Sequence, residues 1–206
     1  MSAAADKASM RREMACLWAG VTPAWIESAG ALVREALLER GEIRSARVVG
    51  AYLSIAREVP TRALIEALDA RGQAVCVPRF DAAAGAYRPA PWRPGGPLGR
   101  GPHGALEPRG GGAVAGDDVD VWIVPGVAFD ERGGRLGRGG GWFDRLLAAS
   151  GAARVGIAFE FQIVGAVPAD PWDAAVDVIV TERRTRTANS GRTRPREPAH
   201  TRERLP

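Results

Sequence analysis

The sequence predicts an α/β fold, a single domain with a mostly parallel sheet and helices on both faces. Three observations lead there. Short apolar runs rich in β-formers, such as Val119 to Val124 and Val176 to Thr181, read as strands. Stretches with helix-start signals alternate with them, and short strand-helix-strand connections mean parallel pairs joined by right-handed crossovers. Finally, 206 residues with 46% hydrophobic content are enough for one sizeable core.

Residues 2 to about 40 predict two helices separated by Gly20-Val-Thr-Pro23, where Thr22 caps the second and Pro23 fits its first turn. Lys7 and Arg11 lie four apart, so a helix puts both cations on one face, where they repel mildly unless an anion lies between them. Ala46 to Ser54 predicts a strand, a helix capped by Thr61 or the preceding turn runs to Arg71, and Gln73 to Pro78 predicts the next strand with Cys76 buried in it. Glu58 then falls just past the carboxyl end of a strand, where open α/β sheets place their ligands. Phe80 to Gly116 reads as a long irregular segment with one short strand near Tyr87, and Trp92 reads as an aromatic packed beneath it or, less often at such positions, stacked on a flat ligand.

Val119 to Val124 predicts a central buried strand and Arg145 to about Ser150 a helix, which makes the stretch between them a strand-to-helix loop. Seven glycines between Gly126 and Gly141 let its backbone approach a ligand closely, and Arg135 and Arg138 supply fixed charge. Such a loop suits a polyphosphate. It is not a P-loop, because Gly141 is followed by Trp142 and the loop holds no lysine. Strands at Ala153 to Phe159 and Val176 to Thr181 complete the sheet; Asp173 and Asp177 flank the last one as turn caps or metal ligands.

Charge and cysteine content exclude several classes. The net charge is +4, but residues 183 to 206 carry eight arginines against Glu197 and Glu203, a tail of +6 that leaves the body at −2. That gives no general case for binding nucleic acid. The division expected is a domain over residues 1–182 and a basic, disordered tail over 183–206. Cys16 and Cys76 form no C-x-x-C pair, so neither a disulfide framework nor a zinc site is suggested. With no transmembrane run and no signal peptide, the expectation is a cytoplasmic protein, more readily a monomer than an obligate oligomer.

With these pieces in order, Pro125-Gly-Val-Ala-Phe-Asp130 followed by Arg135-Leu-Gly-Arg-Gly-Gly-Gly-Trp-Phe-Asp144 resembles the P-G-x-x-F-D and R-L-G-x-G-x-G-Y-Y-D motifs of the 5-formyltetrahydrofolate cyclo-ligase family. Lys7 with Arg11, Tyr52-Leu-Ser54 with Glu58 and Thr61, Pro78-Arg79, Leu106-Glu-Pro108, and Asp173 with Asp177 match in the family's order, over about residues 5 to 182. The resemblance implies a three-layer fold like those of ribose-phosphate isomerase and CoA transferase. It also implies an ATP- and Mg²⁺-dependent closure of 5-formyltetrahydrofolate to 5,10-methenyltetrahydrofolate, with ADP and phosphate released.

Carried over residue by residue, Lys7, Arg11, Arg135, Leu136, Gly137, Arg138, Gly139, Gly140, Gly141, Trp142 and Phe143 would contact ATP. Leu53, Glu58 and residues Arg138 to Trp142 would face the folate, Asp144 and Asp173 would hold Mg²⁺, and Arg138 and Asp144 would act in catalysis. Asp144→Ala is then expected to lower turnover with the fold intact. Trp142-Phe143 departs from the family's Tyr-Tyr and lacks both phenol hydroxyls, and Trp172 replaces a frequent histidine. Two alternatives stay open: a folate- or nucleotide-binding module without efficient turnover, and a sugar-phosphate isomerase or acyl-transferase relative on the same fold.

Overall fold

The computed structural model describes residues 3–188. Two helices, α1 (Ala3–Leu17) and α2 (Pro23–Leu38), are separated by the expected turn. The Trp25 amide donates to the Thr22 side chain at 3.2 Å, a cap worth about 1 kcal/mol. α2 buries Ala29, Val33 and Leu37, spaced by four and so lying on one face. A short α3 (Gly41–Arg44) leads into β1 (Val48–Gly50), then α4 (Arg62–Ala70), β2 (Ala74–Asp81) and β3 (Ala86–Pro91).

A small hairpin of β4 (Leu98–Arg100) and β5 (Leu106–Pro108) follows, then β6 (Val121–Val124), β7 (Ala128–Asp130), β8 (Arg135–Leu136) and α5 (Trp142–Ala148). The described chain ends with β9 (Ala153–Ile157), β10 (Ile163–Val164), β11 (Val178–Val180) and β12 (Thr185–Thr187).

The main sheet has the order β12-β11-β9-β6-β1-β2-β3. All pairings from β11 through β2 are parallel, and the two edge strands pair antiparallel. Every residue of β6 is buried, as the central position demands. Trp122 of β6 packs so closely over Gly50 that a Cβ there would lie 2.3 Å from its ring. From β1 the chain runs outward to β2 on one side, while β6, β9 and β11 lie on the other, so the strand order reverses between β1 and β6. Open α/β sheets bind ligands beyond the carboxyl ends of strands at such a reversal.

Several local expectations change. Ala46 to Ser54 forms only three residues of strand, because beyond Gly50 the chain leaves the ladder to build the site. Thr61 stands at the start of α4 but does not cap it. Its hydroxyl donates to the Tyr52 carbonyl at 2.5 Å and accepts from the Ser54 amide at 3.0 Å, and the Thr61 amide donates to Ser54 Oγ at 3.1 Å. Three bonds thus fasten the segment after β1 to the start of α4. The Phe80 to Gly116 stretch contains a full edge strand and a hairpin rather than one short strand, while Trp92 is buried beneath it as expected.

The stretch from Pro125 to Asp144 is likewise not one open loop. β7 pairs with β8 antiparallel and with β10 parallel, making a three-stranded minor sheet. Asp130, 2% exposed, is its anchor: Oδ1 accepts from the Arg132 and Gly134 amides and Oδ2 from the Val167 amide, at 2.8–2.9 Å. The main sheet also continues past the boundary expected at Glu182, since β12 pairs with β11. Arg186 and Arg184 there bind Glu160, at 2.5 and 3.2 Å. The rest of the expected basic tail lies outside the described residues.

Candidate functional site

Two clefts meet at the glycine loop. The first, about 330 Å³, opens over the carboxyl ends of β1, β2 and β6, at the reversal of strand order. Tyr52 and Leu53 come from the segment fastened by Thr61, Pro125 and Gly126 from the end of β6, and Tyr87 and His103 from the segment read as irregular. The second, about 580 Å³, lies between α1, the loop and the turn around Asp173. Arg135, Gly137, Gly140, Gly141 and Asp144 line both, so residues 135–144 form the wall between them. Gly139 and Gly141 have φ of 109° and 63°, backbone that a side chain strains, which explains glycine at those positions.

Lys7, Arg11, Asp144 and Asp173 all border the second cleft. The expected cation pair on α1 therefore does face the glycine loop. Arg11 Nε donates to the Gly137 carbonyl at 2.8 Å, which leaves its charge without a carboxylate partner among the described residues. Lys7 Nζ binds Asp170 at 2.7 Å and also Asp173. Burial draws the Lys7 pKa down, but the hydrogen bonds and charges of both aspartates outweigh it and hold the ammonium above its ordinary value. Arg135, nearly inaccessible, pairs with Asp144, whose Oδ1 also accepts from the Ala174 amide at 3.0 Å. Both aspartates proposed from sequence as metal ligands are thus held by a cation.

Among the described residues no group of three or more His, Cys, Asp or Glu is placed to hold a metal ion. Magnesium needs less, since it retains waters and is commonly held by one or two carboxylates together with substrate phosphates. The donor set fits that pattern. The contacts of Asp144 run to Oδ1 and those of Asp173 to Oδ2, so each carboxylate has a second oxygen. Asp177 is instead structural, accepting from the Arg154 amide at 2.9 Å beside β11.

Leu53, Glu58, Arg138, Gly140, Gly141, Trp142 and Phe143 border the first cleft. Glu58 is one of the charged residues that line it, with Arg135, Arg138 and Asp144. Arg138 Nε donates to Glu58 Oε1 at 3.0 Å and its guanidinium also reaches the Ala56 carbonyl at 2.7 Å, while the Ile55 amide donates to Glu58 Oε2 at 3.0 Å. Burial raises the Glu58 pKa despite these partners, and burial followed by the Glu58 charge raises that of Tyr52 well above the usual phenol range. Arg138 borders this cleft and not the cleft that holds Lys7 and Arg11.

The Trp142-Phe143 pair separates into two jobs. Phe143 turns inward, edge-on to Trp122 and Tyr52 at 6.3 and 6.5 Å. Trp142 carries the Arg145 guanidinium 4.2 Å above its ring and lies 4.5 Å from the His103 ring, tilted by 32°. Tyr87, 5.4 Å from Trp142, has its pKa pushed up to about 12, first by burial and then by Glu107. Sequence reasoning marked Tyr87 only as the place of a short strand and missed it, His103, Tyr52 and Arg145 as site residues. The one available signal was the isolated aromatics between Phe80 and Leu106, and it takes the β4–β5 hairpin to fold them over the cleft.

Comparisons with known proteins bear on the family of the chain. A model of the 5-formyltetrahydrofolate cyclo-ligase family matches residues 3–182. The chain is 36% identical over 149 residues to a 5-formyltetrahydrofolate cyclo-ligase of Mycolicibacterium smegmatis, covering 68% of this chain and 76% of that one. It is 29% identical over 178 residues to the Haemophilus influenzae enzyme of the same name, covering 83% and 95%. The solution structure of Aquifex aeolicus 5,10-methenyltetrahydrofolate synthetase superposes with a TM-score of 0.79 at 31% identity, over 95% of this chain and 99% of that one. With the motif-bearing wall between two clefts and a match running nearly the length of the described fold, this chain is an enzyme of the 5-formyltetrahydrofolate cyclo-ligase family.

Proposed function

We propose that the chain closes 5-formyltetrahydrofolate to 5,10-methenyltetrahydrofolate, using ATP and Mg²⁺ and releasing ADP and phosphate. The observation that carries this reading is the shared wall. Transfer of a phosphoryl group between two bound molecules requires their reacting atoms to meet, and residues 135–144 face both a wide cleft with uncommitted cation and a smaller aromatic one. The flat pterin suits the aromatic cleft, and the triphosphate suits Lys7, Arg11 and the glycine backbone.

In the reaction, the formyl oxygen attacks the γ-phosphorus as the bond to ADP breaks. N10 then attacks the formyl carbon and loses its proton, and phosphate departs with the formyl oxygen, leaving the methenyl bridge. Such chemistry depends mainly on positioning and charge stabilisation. Arg11 and Lys7 would hold the phosphates, with Lys7 exchanging part of its aspartate contact for them. Asp144 and Asp173 would hold Mg²⁺, which when bound neutralises phosphate charge and orients the γ-phosphoryl group. Arg138 fixes Glu58, whose carboxylate would accept a hydrogen bond from the pterin or from N10.

The direct test mixes the protein, ATP, Mg²⁺ and 5-formyltetrahydrofolate and follows methenyl absorbance. A rise that requires ATP and is abolished by chelation of the metal is expected. Folate binding without any absorbance change would support the binding-module reading instead.

A further inference from the structure

Three carboxylates border the second cleft, and two cations take them up: Lys7 binds Asp170 and Asp173, and Arg135 binds Asp144. Two further cations, Arg11 on α1 and Arg145 on α5, border it without a carboxylate partner among the described residues. Arg11 donates to the Gly137 carbonyl, and Arg145 Nη2 donates to the Gly140 carbonyl at 3.0 Å. Arg145 is exposed, yet its place is fixed. It follows Trp142 by three residues on one helix, a spacing that brings the two side chains together. The guanidinium carbon lies 4.2 Å from the Trp142 ring centroid, and tryptophan is the strongest aromatic platform for a cation. The guanidinium also rests against Gly141, where a Cβ would come within 3.3 Å of Nη1. Stacking occupies the face of the guanidinium and leaves its edge N–H groups for acceptors. Trp142 itself borders the first cleft and not the second, so an aromatic of one cleft orients a charge of the other.

We infer that Arg145 binds the terminal phosphates of the nucleotide and that Trp142 is the residue that positions it; the inference rests on the nucleotide reading of the second cleft. Gly140 and Gly141, against which Arg145 lies, border both clefts. A phosphoryl group passing from nucleotide to folate must cross at such a shared stretch, so the terminal phosphates and not the base belong beside Arg145. The planar fork of an arginine suits phosphate oxygens. Trp142 thereby has a function that needs no phenol hydroxyl.

The test titrates AMP, ADP and a non-hydrolysable ATP analogue, each with Mg²⁺, into the parent protein and its variants by calorimetry. Arg145→Ala should weaken the ATP analogue roughly tenfold, the worth of a charge-assisted hydrogen bond, and AMP little. In turnover the KM for ATP should rise while that for the folate holds. Arg145→Lys should recover part of the loss, because it keeps the charge but not the fork. Trp142→Leu should weaken the analogue roughly two- to fivefold, the worth of an exposed cation–π contact, and Trp142→Phe less. With Arg145→Ala already present, Trp142→Leu should have no further effect on the analogue, which separates positioning from a general loss of packing. Unchanged analogue affinity in Arg145→Ala, or equal weakening of all three nucleotides, overturns the role of Arg145. Fully multiplicative effects of the two substitutions overturn that of Trp142. Either result alongside ATP-dependent turnover by the parent leaves the proposed reaction standing. Should the parent bind no nucleotide, that reaction fails, and Arg145 is judged by titration with inorganic tripolyphosphate. Affinity lost in Arg145→Ala supports its role, and unchanged affinity or no binding to the parent overturns it.

Discussion

Asp144→Asn keeps the size of the side chain and removes its charge, leaving Arg135 without a carboxylate partner among the described residues. The Arg135 side chain is 3% exposed, so water cannot replace that partner. Removing one member of a buried pair costs about 3–5 kcal/mol because the other charge remains desolvated. Asp144 itself is 17% exposed, which places the loss at the lower end, about 3 kcal/mol. In a domain of this size each kcal/mol moves the melting midpoint by about 2–4 °C, so a fall of roughly 6–12 °C is expected. Circular dichroism melts at neutral pH measure it. The double variant Arg135→Met with Asp144→Leu should recover much of the loss, since no unpaired charge remains. A single variant melting within about 2 °C of the parent would refute the argument. The structure thereby revises the expectation that substitution of Asp144 leaves the fold untouched: turnover and stability should fall together.

Burial raises the Glu58 pKa, so ionisation of this group opposes folding above its unfolded value and the opposition vanishes as pH falls below that value. Glu58→Gln should therefore lose turnover yet match or exceed the parent in stability at pH 7, with the difference shrinking as pH drops through the raised pKa in urea titrations. Glu160 behaves oppositely: Arg186, acting against burial, holds it at about 2, so its contribution is present above the ordinary value of 4.5 and is lost between there and about 2. Parent stability should decline across that window in acid titrations, and Glu160→Gln should flatten the decline. A chain ending at Glu182 should melt several degrees below one ending at Ala188, because it lacks β12 and the Arg184 and Arg186 contacts to Glu160. Gly139→Ala forces a side chain onto φ of 109° at a cost of about 1–3 kcal/mol, and kinetics should show a raised KM for ATP.

The helices and the parallel core were readable because their signals are local. Thr22 and Pro23 mark the start of α2, and the short apolar run from Val119 to Val124, rich in β-formers, reads as a central strand. The meeting of Lys7 and Arg11 with the glycine loop was readable from the four-residue spacing and the family motif together. What stayed hidden depends on distant partners. Thr61 looks like a cap, but its hydroxyl oxygen accepts from the Ser54 amide seven residues earlier instead of from the helix, while the hydroxyl donates to the Tyr52 carbonyl. Arg183 to Thr187 reads as the start of a basic tail, and it takes pairing with β11 and the distant Glu160, bound by Arg184 and Arg186, to make an edge strand of it. The pairing of Arg135 with Asp144 and of Lys7 with Asp173 joins residues whose separation gives no periodic signal.

The wall of residues 135–144 has a thermodynamic consequence. A partition with a ligand on either side cannot shift for one without shifting for the other, so the two affinities are linked by a single coupling free energy. Linkage makes that energy reciprocal: whatever factor bound nucleotide applies to the dissociation constant of the folate, bound folate must apply to that of the nucleotide. Titrating each ligand in the presence and absence of the other, with a non-hydrolysable nucleotide, closes a four-sided cycle. The same factor must be found on opposite sides of it.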